Sequence, residues 1–514
     1  MRKDRRHRPF SRVLIANRGE IAVRIARTLR EMDIESIGVY SEADLHAVHV
    51  EVADVAVPIG PAAPSASYLN IPALVAAAQR TGAEAVHPGY GFLSENAAFA
   101  RAVQAAGLTW IGPSPETQEL LGNKLAARRA VADSQVPIVP GLLMALGEGE
   151  PEEPATVGYP AMLKAASGGG GRGMRRVDGP DQLASVLAGA RREAEATFGD
   201  PTLYLERLIE PARHVEVQLL GDRHGNLVCL GERDCSIQRR HQKLVEESPS
   251  PAVDEALRTR LYESARRVAG TVAFQSAATV EFLVDGEGGH YFLEMNTRLQ
   301  VEHGVTELVT GLDMVAWQIR VAAGERLPSS VLEATPRGHA IEVRVYAEDP
   351  YAGFRPVAGT VATWRLPSGP GVRVDEAVRP GLPLTPEYDP LLAKVMVHAP
   401  DRPAAVARLR RALDEMLAGG LQTDLGFHRW LVDHRGFASG IYDTGFVATE
   451  WGEGPALSPE EAALAGLAAR EARLDEALVG PVQGRVARAA GNAGSRRPGD
   501  SAWARLGREE GLQR

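Results

Sequence analysis

Three oxygen-bearing side chains in residues 279–296 have the types and spacing of a divalent cation site. Strand-like runs at 279–284 and 291–294 flank a polar, glycine-rich turn and predict a β-hairpin. With the turn centred between the runs, Glu281 faces Glu294, and like charges in that position destabilise a sheet. Two carboxylates with an amide oxygen, such as that of Asn296, suit Mg²⁺ held partly by substrate phosphates. We therefore predict that these three residues bind Mg²⁺ (or Mn²⁺).

The polar alternation continues beyond the hairpin. Arg298, Gln300 and Glu302 follow at every second position, with apolar residues between them. If the segment is extended, all three share the face of the metal ligands. A cation site, a guanidinium and a carboxylate in one row suit phosphoryl transfer to an oxyacid, with the carboxylate as general base. The alternative is a half-exposed edge strand without a catalytic role.

Lysine is scarce in this chain, which has five lysines and 52 arginines. Lys124, Lys164 and Lys243 lie in or next to polar motifs. A compact ammonium suits a point contact with phosphate or another anion, so we expect these three to bind anions. For Lys394 we favour chance retention on the surface.

A polyglycine segment separates two further strand-like runs, residues 160–164 and 174–177. A strand rather than a helix follows the glycines, which argues against a dinucleotide fingerprint, and no Gly-Lys-Ser/Thr follows for a Walker loop. We predict a mobile hairpin whose backbone N–H groups, including those of Gly169, Gly170 and Gly171, fold over phosphates.

The N-terminal region predicts the elements that position a site of this kind. Val13–Ala16 and Ile37–Tyr40 resemble buried strands around an amphipathic helix, and this βαβ unit predicts a parallel sheet. Asn17 and Glu20 have the spacing of a helix capping box. The Pro- and Gly-containing loop within 86–96 follows another strand, where α/β sheets bind ligands; an ordinary tight turn is the alternative.

Length and composition limit the possible classes of protein. A chain of 514 residues suggests three or four domains. Its net charge of −9 argues against nucleic acid or an anionic membrane as the main partner. No apolar run approaches the ~18 residues of a membrane span. Two cysteines without a CxxC pair argue against a disulfide framework or a zinc site, and we predict a cytoplasmic protein.

Eight segments, spread in family order along residues 12 to about 450, resemble the signature segments of biotin carboxylase, the ATP-grasp component of biotin-dependent carboxylases. None is sufficient alone, but together they are very specific. They are Ala16–Ala22, His87–Asn96, Gly168–Met174, Arg213–Glu216, Glu232–Cys235, Gln238–Lys243, Glu294–His303 and Ala347–Pro350. A further segment, Thr310–Gly324, resembles acyl-CoA carboxylase α-subunits more than stand-alone bacterial biotin carboxylases.

The resemblance implies an α/β, ATP-grasp architecture divided into four regions. Residues 1–120 are expected to form a Rossmann-like N-terminal domain, and 121–335 the ATP-grasp domain, with a mobile glycine-loop lid subdomain at about 137–208. Residues 336–450 are expected to form a β-rich C-terminal domain. Residues 451–514 are expected to form a helical tail and linker.

The implied reaction is the first half-reaction of a biotin-dependent acyl-CoA carboxylase. ATP phosphorylates bicarbonate to carboxyphosphate, which releases CO₂ and phosphate, and deprotonated biotin captures the CO₂. Glu302 is the implied base for bicarbonate, Arg298 and Lys243 hold bicarbonate and carboxyphosphate, and Arg344 stabilises the biotin enolate.

The resemblance also implies how each substrate is held. Gln300 and the backbone of Val301 contact bicarbonate, and Tyr90 and Gly91 lie beside the biotin ring. The implied ATP-binding residues are Lys124, Lys164, Gly169, Gly170, Gly171, Met174, Glu206, Ile209, His214, Gln238, His241 and Leu283.

The implied partners are a biotin carboxyl carrier domain or protein, a carboxyltransferase subunit and a second copy of the chain in a homodimer. The chain has no Ala-Met-Lys-Met biotinylation string, so we expect biotin to be carried by a separate domain or protein. Residues 501–508 resemble the start of the linker domain that precedes the carrier in acyl-CoA carboxylases.

Two departures from the family pattern affect the expected site. Gly304 stands where the family commonly has proline, and the extra backbone freedom is expected to loosen Glu302. Residues Arg355–Gly359 also depart from the usual string.

Two other functions remain open from the sequence. One is a different ATP-grasp ligase, in which an amine or ammonia attacks an acyl phosphate. The other is a non-catalytic assembly subunit, which the complete set of expected catalytic residues disfavours.

Overall fold

The N-terminal part of the chain forms a parallel five-stranded sheet. The computed structural model describes residues 8–122, 124–142, 157–166, 173–452 and 454. The sheet has the order β3-β2-β1-β4-β5, which is the Rossmann order and agrees with the predicted βαβ unit. Its strands are β1 (Arg12–Ile15), β2 (Glu35–Ser41), β3 (Val55–Gly60), β4 (Ala85–His87) and β5 (Thr109–Trp110). The helices of this region are α1 (Gly19–Glu31), α2 (Val48–Val52), α3 (Ile71–Thr81), α4 (Ala97–Ala105) and α5 (Pro115–Gly122).

The strands are added in opposite directions on either side of the neighbouring parallel strands β1 and β4, and the loops that follow these two strands lie at the same sheet edge. Asn17, after β1, donates hydrogen bonds from Nδ2 to the carbonyls of Pro88 and Tyr90, each at 2.7 Å. Gly89 has a φ of +63°, and a Cβ there would lie 2.9 Å from Asn17 Nδ2. Glycine therefore lets the two loops approach closely.

The predicted capping box at the start of α1 is wrong. The N-cap residue is Arg18, and its side chain makes no cap hydrogen bond. Asn17 is occupied by the loop after β4, and Glu20 pairs with Lys394 at 3.3 Å. Both side chains serve tertiary contacts, which a local spacing rule does not detect.

A small antiparallel sheet of order β6-β9-β7-β8 follows. It contains β6 (Gly141–Leu142), β7 (Ala161–Ala165), β8 (Met174–Val177) and β9 (Leu203–Arg207), with helices α6 (Lys124–Ala132) and α7 (Pro180–Phe198). Lys164 and Met174 are register partners, so the strands on either side of the glycine segment are confirmed. The predicted lid loop itself, residues 167–172, lies outside the described residues.

The largest sheet has eight antiparallel strands in the order β14-β13-β10-β11-β12-β15-β22-β20. Its strands are β10 (Ala212–Gly221), β11 (Leu227–Arg239), β12 (Gln242–Ser248), β13 (Ser276–Asp285), β14 (His290–Asn296), β15 (His339–Tyr346), β20 (Val372–Glu376) and β22 (Leu391–Ala399). Because β12 pairs with β15, the sheet is continuous across the predicted domain boundary at residues 335–336.

Short strands and helices complete the described chain. The strands are β16 (Glu348–Asp349), β17 (Arg355–Pro356), β18 (Gly359–Thr360), β19 (Thr363–Arg365), β21 (Pro383–Leu384) and β23 (Leu417–Gly419). The helices are α8 (Glu255–Ala269), α9 (His303–Thr310), α10 (Met314–Ala322), α11 (Ser329–Leu332), α12 (Arg402–Glu415), α13 (Leu425–Asp433) and α14 (Arg435–Ser439). The predicted helical tail lies almost entirely outside the described residues.

The two faces of the large sheet differ in chemistry. On one face, Val217 and Val280 belong to an apolar core that also contains Leu261 and Val268 of α8. Successive strand residues point to opposite faces, so this packing leaves His214, Glu216 and Glu281 on the other face. None of the helices in the described ranges is long and apolar enough to cross a membrane.

Candidate active site

Glu281 on β13 and Glu294 on β14 are direct register partners, which confirms the predicted hairpin pairing. Thr279 is paired with Asn296 in the same register, and an irregularity follows Glu281. Two carboxylates and an amide therefore lie together at one end of the hairpin.

The predicted extended row ends earlier than expected, because β14 stops at Asn296 and the chain then turns. The backbone N–H of Thr297 donates to Glu95 Oε1 at 3.0 Å, and Arg298 Nε donates to Glu95 Oε2 at 2.9 Å. A carboxylate from another part of the fold thus takes the place of a strand partner. The side chains still converge, since Arg298 Nη1 lies 2.7 Å from Gln300 Oε1, and Gln300 Nε2 lies 3.2 Å from Glu281 Oε1.

Lys243 on β12 joins three carboxylates of this face. Its Nζ lies 2.6 Å from Glu216 Oε2, 2.6 Å from Glu302 Oε1 and 3.0 Å from Glu281 Oε1. An ammonium has three donors, and each has a carboxylate partner. Burial alone would lower the pKa of Lys243, but the neighbouring Cys235 and the three carboxylates hold that pKa well above its ordinary value.

Glu302 is almost completely buried, and each of its oxygens accepts a hydrogen bond from a cation. Lys243 binds Oε1, and Arg344 Nη2 binds Oε2 at 3.0 Å. Burial would raise the pKa of Glu302, but Lys243, Arg344 and Arg233 outweigh it and hold the pKa well below its usual range. A carboxylate with two cations and spare lone pairs can accept a proton from a substrate hydroxyl between them.

Further buried charges surround this pair. Arg233 Nε donates to Glu216 Oε1 at 2.5 Å, and Arg344 also pairs with Glu246. Burial raises the pKa of Glu246 to about 7 even though Arg344 lies beside it. Arg344 therefore lies between two carboxylates of different proton affinity.

The Mg²⁺ ligands proposed from the sequence have the chemistry of a hard-cation site. Glu281 already accepts hydrogen bonds from His214 at 2.8 Å and from Asn296 Nδ2 at 2.8 Å. Asn296 Oδ1 accepts from Arg298 at 3.1 Å. Two facing carboxylates and a side-chain amide fit Mg²⁺, provided that the amide turns its oxygen from Arg298 towards the cation.

The expected ATP-binding residues lie on the small sheet and the adjacent strands. Lys164 pairs with the buried carboxylate of Glu206, which Arg128 also binds. Met174, Ile209 and Leu283 are half-buried, as surfaces that receive a flat base would be. Gln238 is the register partner of Lys243, and His241 lies in the following turn with a φ of +66°. Gly169, Gly170, Gly171 and the side chain of Lys124 lie outside the described part of the chain.

The residues expected beside biotin lie in the loop after β4. Gly91 has a φ of +69°, and the neighbouring Tyr90 has its ring centroid 5.7 Å from Lys394 Nζ. Lys394 also donates a hydrogen bond to the carbonyl of Val301 at 2.7 Å. The loop therefore approaches the segment that carries Gln300 and Glu302.

Several residues of the site were not assigned a role from the sequence. Glu95 pairs with Arg298 and Glu246 pairs with Arg344, both expected catalytic residues, and Arg233 pairs with Glu216, which also binds Lys243. Residues 243–248 do not alternate between polar and apolar, so Glu246 had no local signal, and Glu95, Arg233 and Glu246 all needed the tertiary structure. The expectation that Lys394 lies on the surface is wrong, because its side chain is completely buried.

Three family models match consecutive parts of the chain. They are described as "Biotin carboxylase, N-terminal domain" for residues 9–118, "Carbamoyl-phosphate synthase L chain, ATP binding domain" for 123–330 and "Biotin carboxylase C-terminal domain" for 342–449.

Individual proteins show the same relationship. A biotin carboxylase of Halalkalibacterium halodurans is 49% identical over 443 residues, which cover 85% of this chain and 97% of that one. The α-subunit of mitochondrial methylcrotonoyl-CoA carboxylase from Oryza sativa is 47% identical, with 88% of this chain and 62% of that one covered.

A solved structure extends the comparison to the fold. The biotin carboxylase domain dimer of Hydrogenobacter thermophilus 2-oxoglutarate carboxylase, solved with MgADP, ADP and bicarbonate, is 42% identical and superposes with a TM-score of 0.83. That match covers 87% of this chain and 99% of that one. The chain belongs to the biotin carboxylase family of ATP-grasp enzymes.

Proposed function

We propose that Glu302 is the general base for bicarbonate in the ATP-dependent carboxylation of biotin, the reaction of this family. The observation that supports this role most directly is the pair of hydrogen bonds that bring Lys243 and Arg344 to the two oxygens of Glu302. A base for a small anion needs neighbouring cations, because otherwise two negative charges would meet in a buried site.

The charge arrangement suggests how the base becomes effective. Lys243 and Arg298 are the cations that hold bicarbonate, and an ammonium that turns towards the substrate withdraws from Glu302. The pKa of Glu302 then rises towards its ordinary range, and its affinity for the bicarbonate proton increases. Phosphoryl transfer from ATP to the deprotonated bicarbonate gives carboxyphosphate.

Mg²⁺ held by Glu281, Glu294 and Asn296 would neutralise charge on the ATP phosphates. Lys164, on the small sheet, would exchange its carboxylate partner Glu206 for a phosphate. The half-buried apolar side chains of Met174 and Leu283 would enclose the adenine.

Arg344 has a second role in the proposal. When carboxyphosphate breaks down to CO₂ and phosphate, the released phosphate accepts the ureido proton of biotin, and negative charge develops on the ureido oxygen. A buried guanidinium stabilises that oxyanion, as donors in oxyanion holes do. Tyr90 and Gly91 would hold the ring from the loop after β4.

We further propose the domain division at residues 120, 335 and 450, a partner that carries the biotin, a carboxyltransferase subunit and a homodimer. We also propose that an acyl-CoA finally accepts the carboxyl group from biotin. The resemblance of Thr310–Gly324 to acyl-CoA carboxylase α-subunits supports this narrower assignment. A cytoplasmic location is proposed from the composition.

ADP release with Mg²⁺ and bicarbonate, measured with and without millimolar free biotin, tests the function. Biotin-stimulated release that requires bicarbonate is expected. ATP cleavage driven by ammonia or an amine instead of bicarbonate would favour the other ATP-grasp ligase. If free biotin has no effect, a biotinylated carrier domain added in trans separates a need for the carrier from a different nucleophile.

A further inference from the structure

Lys394 lies in the middle of β22, and its side chain has no exposed surface. In a chain with ten times as many arginines as lysines, a fully buried lysine is unusual. Burying an ammonium is costly unless specific partners compensate for the loss of water. The partners of Lys394 therefore indicate what this side chain does.

The ammonium of Lys394 contacts parts of the chain that are far apart in sequence. It donates to the carbonyl of Val301 at 2.7 Å and pairs with Glu20 of α1 at 3.3 Å. Asp375 of β20 lies 3.9 Å away, and the ring centroid of Tyr90 lies 5.7 Å away. One side chain thus links the N-terminal helix and the loop after β4 to the segment before α9.

The hydrogen bond to Val301 acts directly on the geometry of the base. The carbonyl of Val301 and the N–H of Glu302 belong to the same planar peptide unit. Fixing that carbonyl fixes the plane and the N–Cα bond of Glu302, so the Cα–Cβ bond keeps its direction as long as the next peptide unit is held as well. Glu302 is the N-cap residue of α9, but its carboxylate makes no cap hydrogen bond and is directed to Lys243 and Arg344 instead.

The neighbouring peptide units are held in other ways. His303 Nδ1 lies 2.7 Å from the carbonyl of Gln300, and the N–H of Val305 donates to the carbonyl of Glu302 at 3.3 Å. The carbonyl between these two is the one that Lys394 binds. Removing the ammonium would therefore release the peptide unit that carries the base.

We propose that Lys394 is a positioning residue for Glu302, which acts by holding the Val301–Glu302 peptide unit in the orientation needed for proton removal from bicarbonate. This inference rests on the proposed role of Glu302. It does not place Lys394 in contact with ATP, bicarbonate or biotin.

A test must separate positioning from the cost of an unpaired buried charge. Lys394→Met removes the ammonium and leaves Glu20 without its cation, whereas Asp375 keeps two hydrogen bonds from Arg373. The double variant Glu20→Gln/Lys394→Met removes the unpaired charge as well. Glu20→Gln alone is the matched control, because it keeps the bond from Lys394 to Val301.

We expect the double variant to recover most of the thermal stability that Lys394→Met loses. Its kcat for bicarbonate-dependent ADP release should nevertheless fall by about 10- to 100-fold, because misplacing a reacting group by about 1 Å costs up to about 10²-fold. The KM for ATP should be unchanged, and Glu20→Gln should keep wild-type kcat. Recovery of both stability and kcat in the double variant would overturn the proposal. If the double variant does not fold, Glu20→Gln/Lys394→Leu, which also lacks a donor for the Val301 carbonyl, is measured in its place with the same criteria.

The Glu302→Gln background distinguishes this inference from the proposed function. A positioning residue acts through the base, so Lys394→Met/Glu20→Gln should cause no further loss of kcat once Glu302 is glutamine. A further loss of the same size in that background would contradict the inference. If Glu302→Gln by itself leaves bicarbonate-dependent turnover unchanged, the proposed function of Glu302 fails first.

Discussion

Glu281 and Glu294 face each other across neighbouring antiparallel strands, with Asn296 two residues beyond Glu294 on the same strand. A direct pair of like charges on a sheet costs up to about 1 kcal/mol, and a bound divalent cation reverses the sign of that interaction. The two carboxylates should therefore destabilise the sheet in the absence of Mg²⁺ and stabilise it when Mg²⁺ is bound.

Glu294→Gln should weaken Mg²⁺ binding without weakening the metal-free fold. In EDTA the free energy of unfolding should stay the same or rise, because a repulsion is removed. The Mg²⁺ concentration for half-maximal ADP release should increase at least about tenfold, because losing even a partner of a metal ligand typically costs about 10- to 100-fold in metal affinity. A Glu287→Gln variant in the exposed hairpin turn is the control. If wild type and Glu294→Gln need the same Mg²⁺ concentration for half-maximal ADP release, Glu294 is not a Mg²⁺ ligand.

Glu302→Gln tests the general base directly. The amide keeps the size of the side chain but cannot accept the bicarbonate proton, so kcat should fall by about 10²- to 10⁴-fold. ATP affinity, measured by equilibrium binding, should change little. Turnover near the wild-type rate in a correctly folded variant would show that another residue is the general base.

Arg344→Met should separate the two parts of the reaction. Loss of one donor to an oxyanion costs about 10²- to 10³-fold, so biotin-stimulated ADP release should fall by that factor. Bicarbonate-dependent ATP cleavage without biotin should fall less, since Lys243 remains beside Glu302. Arg402→Met, which removes a guanidinium from the buried pair with Glu247, is the control for general destabilisation. An equal loss in both assays would argue against a specific role of Arg344 towards biotin.

The sequence predicted those parts of the site that depend on local periodicity. The hairpin register of Glu281 and Glu294 follows from the short turn and the two-residue period of a strand. This feature needs no knowledge of distant parts of the chain, and the structure confirms it.

The features that the sequence did not predict depend on long-range contacts. The extended row fails after Asn296 because Glu95, about 200 residues earlier, takes the backbone N–H of Thr297. The capping box fails because Glu20 pairs with Lys394. In each case a group with a plausible local role instead contacts a residue that is far away in the sequence and close in the fold.

Gly304 leaves space for a neighbouring side chain, which is a separate role from the backbone freedom expected from the sequence. It lies buried in the first turn of α9, and a Cβ at this position would lie 2.2 Å from the sulfur of Met396 and 3.4 Å from Glu342 Oε2. Met396 thus fills the space that a larger residue at 304 would need. Overpacking of this kind typically costs 1–3 kcal/mol.

Gly304→Ala should therefore destabilise the protein by about that amount in urea unfolding, with a smaller effect on the KM for ATP. Met396→Ala creates a cavity and should also destabilise. The double variant Gly304→Ala/Met396→Ala should be more stable than the sum of the single effects indicates, because the new methyl group occupies part of that cavity. Additive losses would show that the two positions do not share this space.

Stability in acid should depend on Glu247, a buried carboxylate far from the proposed chemistry. His339 Nε2 lies 2.6 Å and Arg402 Nε 2.7 Å from Glu247 Oε2, and the hydroxyl of Tyr442 donates to Oε1. Burial would raise the pKa of Glu247, but the contacts from His339 and Arg402 lower it from 4.5 to about 2.

Because this pKa is lower in the folded state, ionised Glu247 stabilises the protein above about pH 4.5, and the stabilisation is lost as the pH falls towards 2. The pH-dependent part is on the order of 3 kcal/mol. In urea unfolding, the stability difference between wild type and Glu247→Gln should thus be largest near pH 7 and shrink steadily below pH 4.5. The exposed Glu415→Gln, which loses a surface pair with Arg411, should show a much smaller change with pH. If the difference in the free energy of unfolding between wild type and Glu247→Gln stays constant from pH 7 to pH 3, the donors around Glu247 do not stabilise its ionised form.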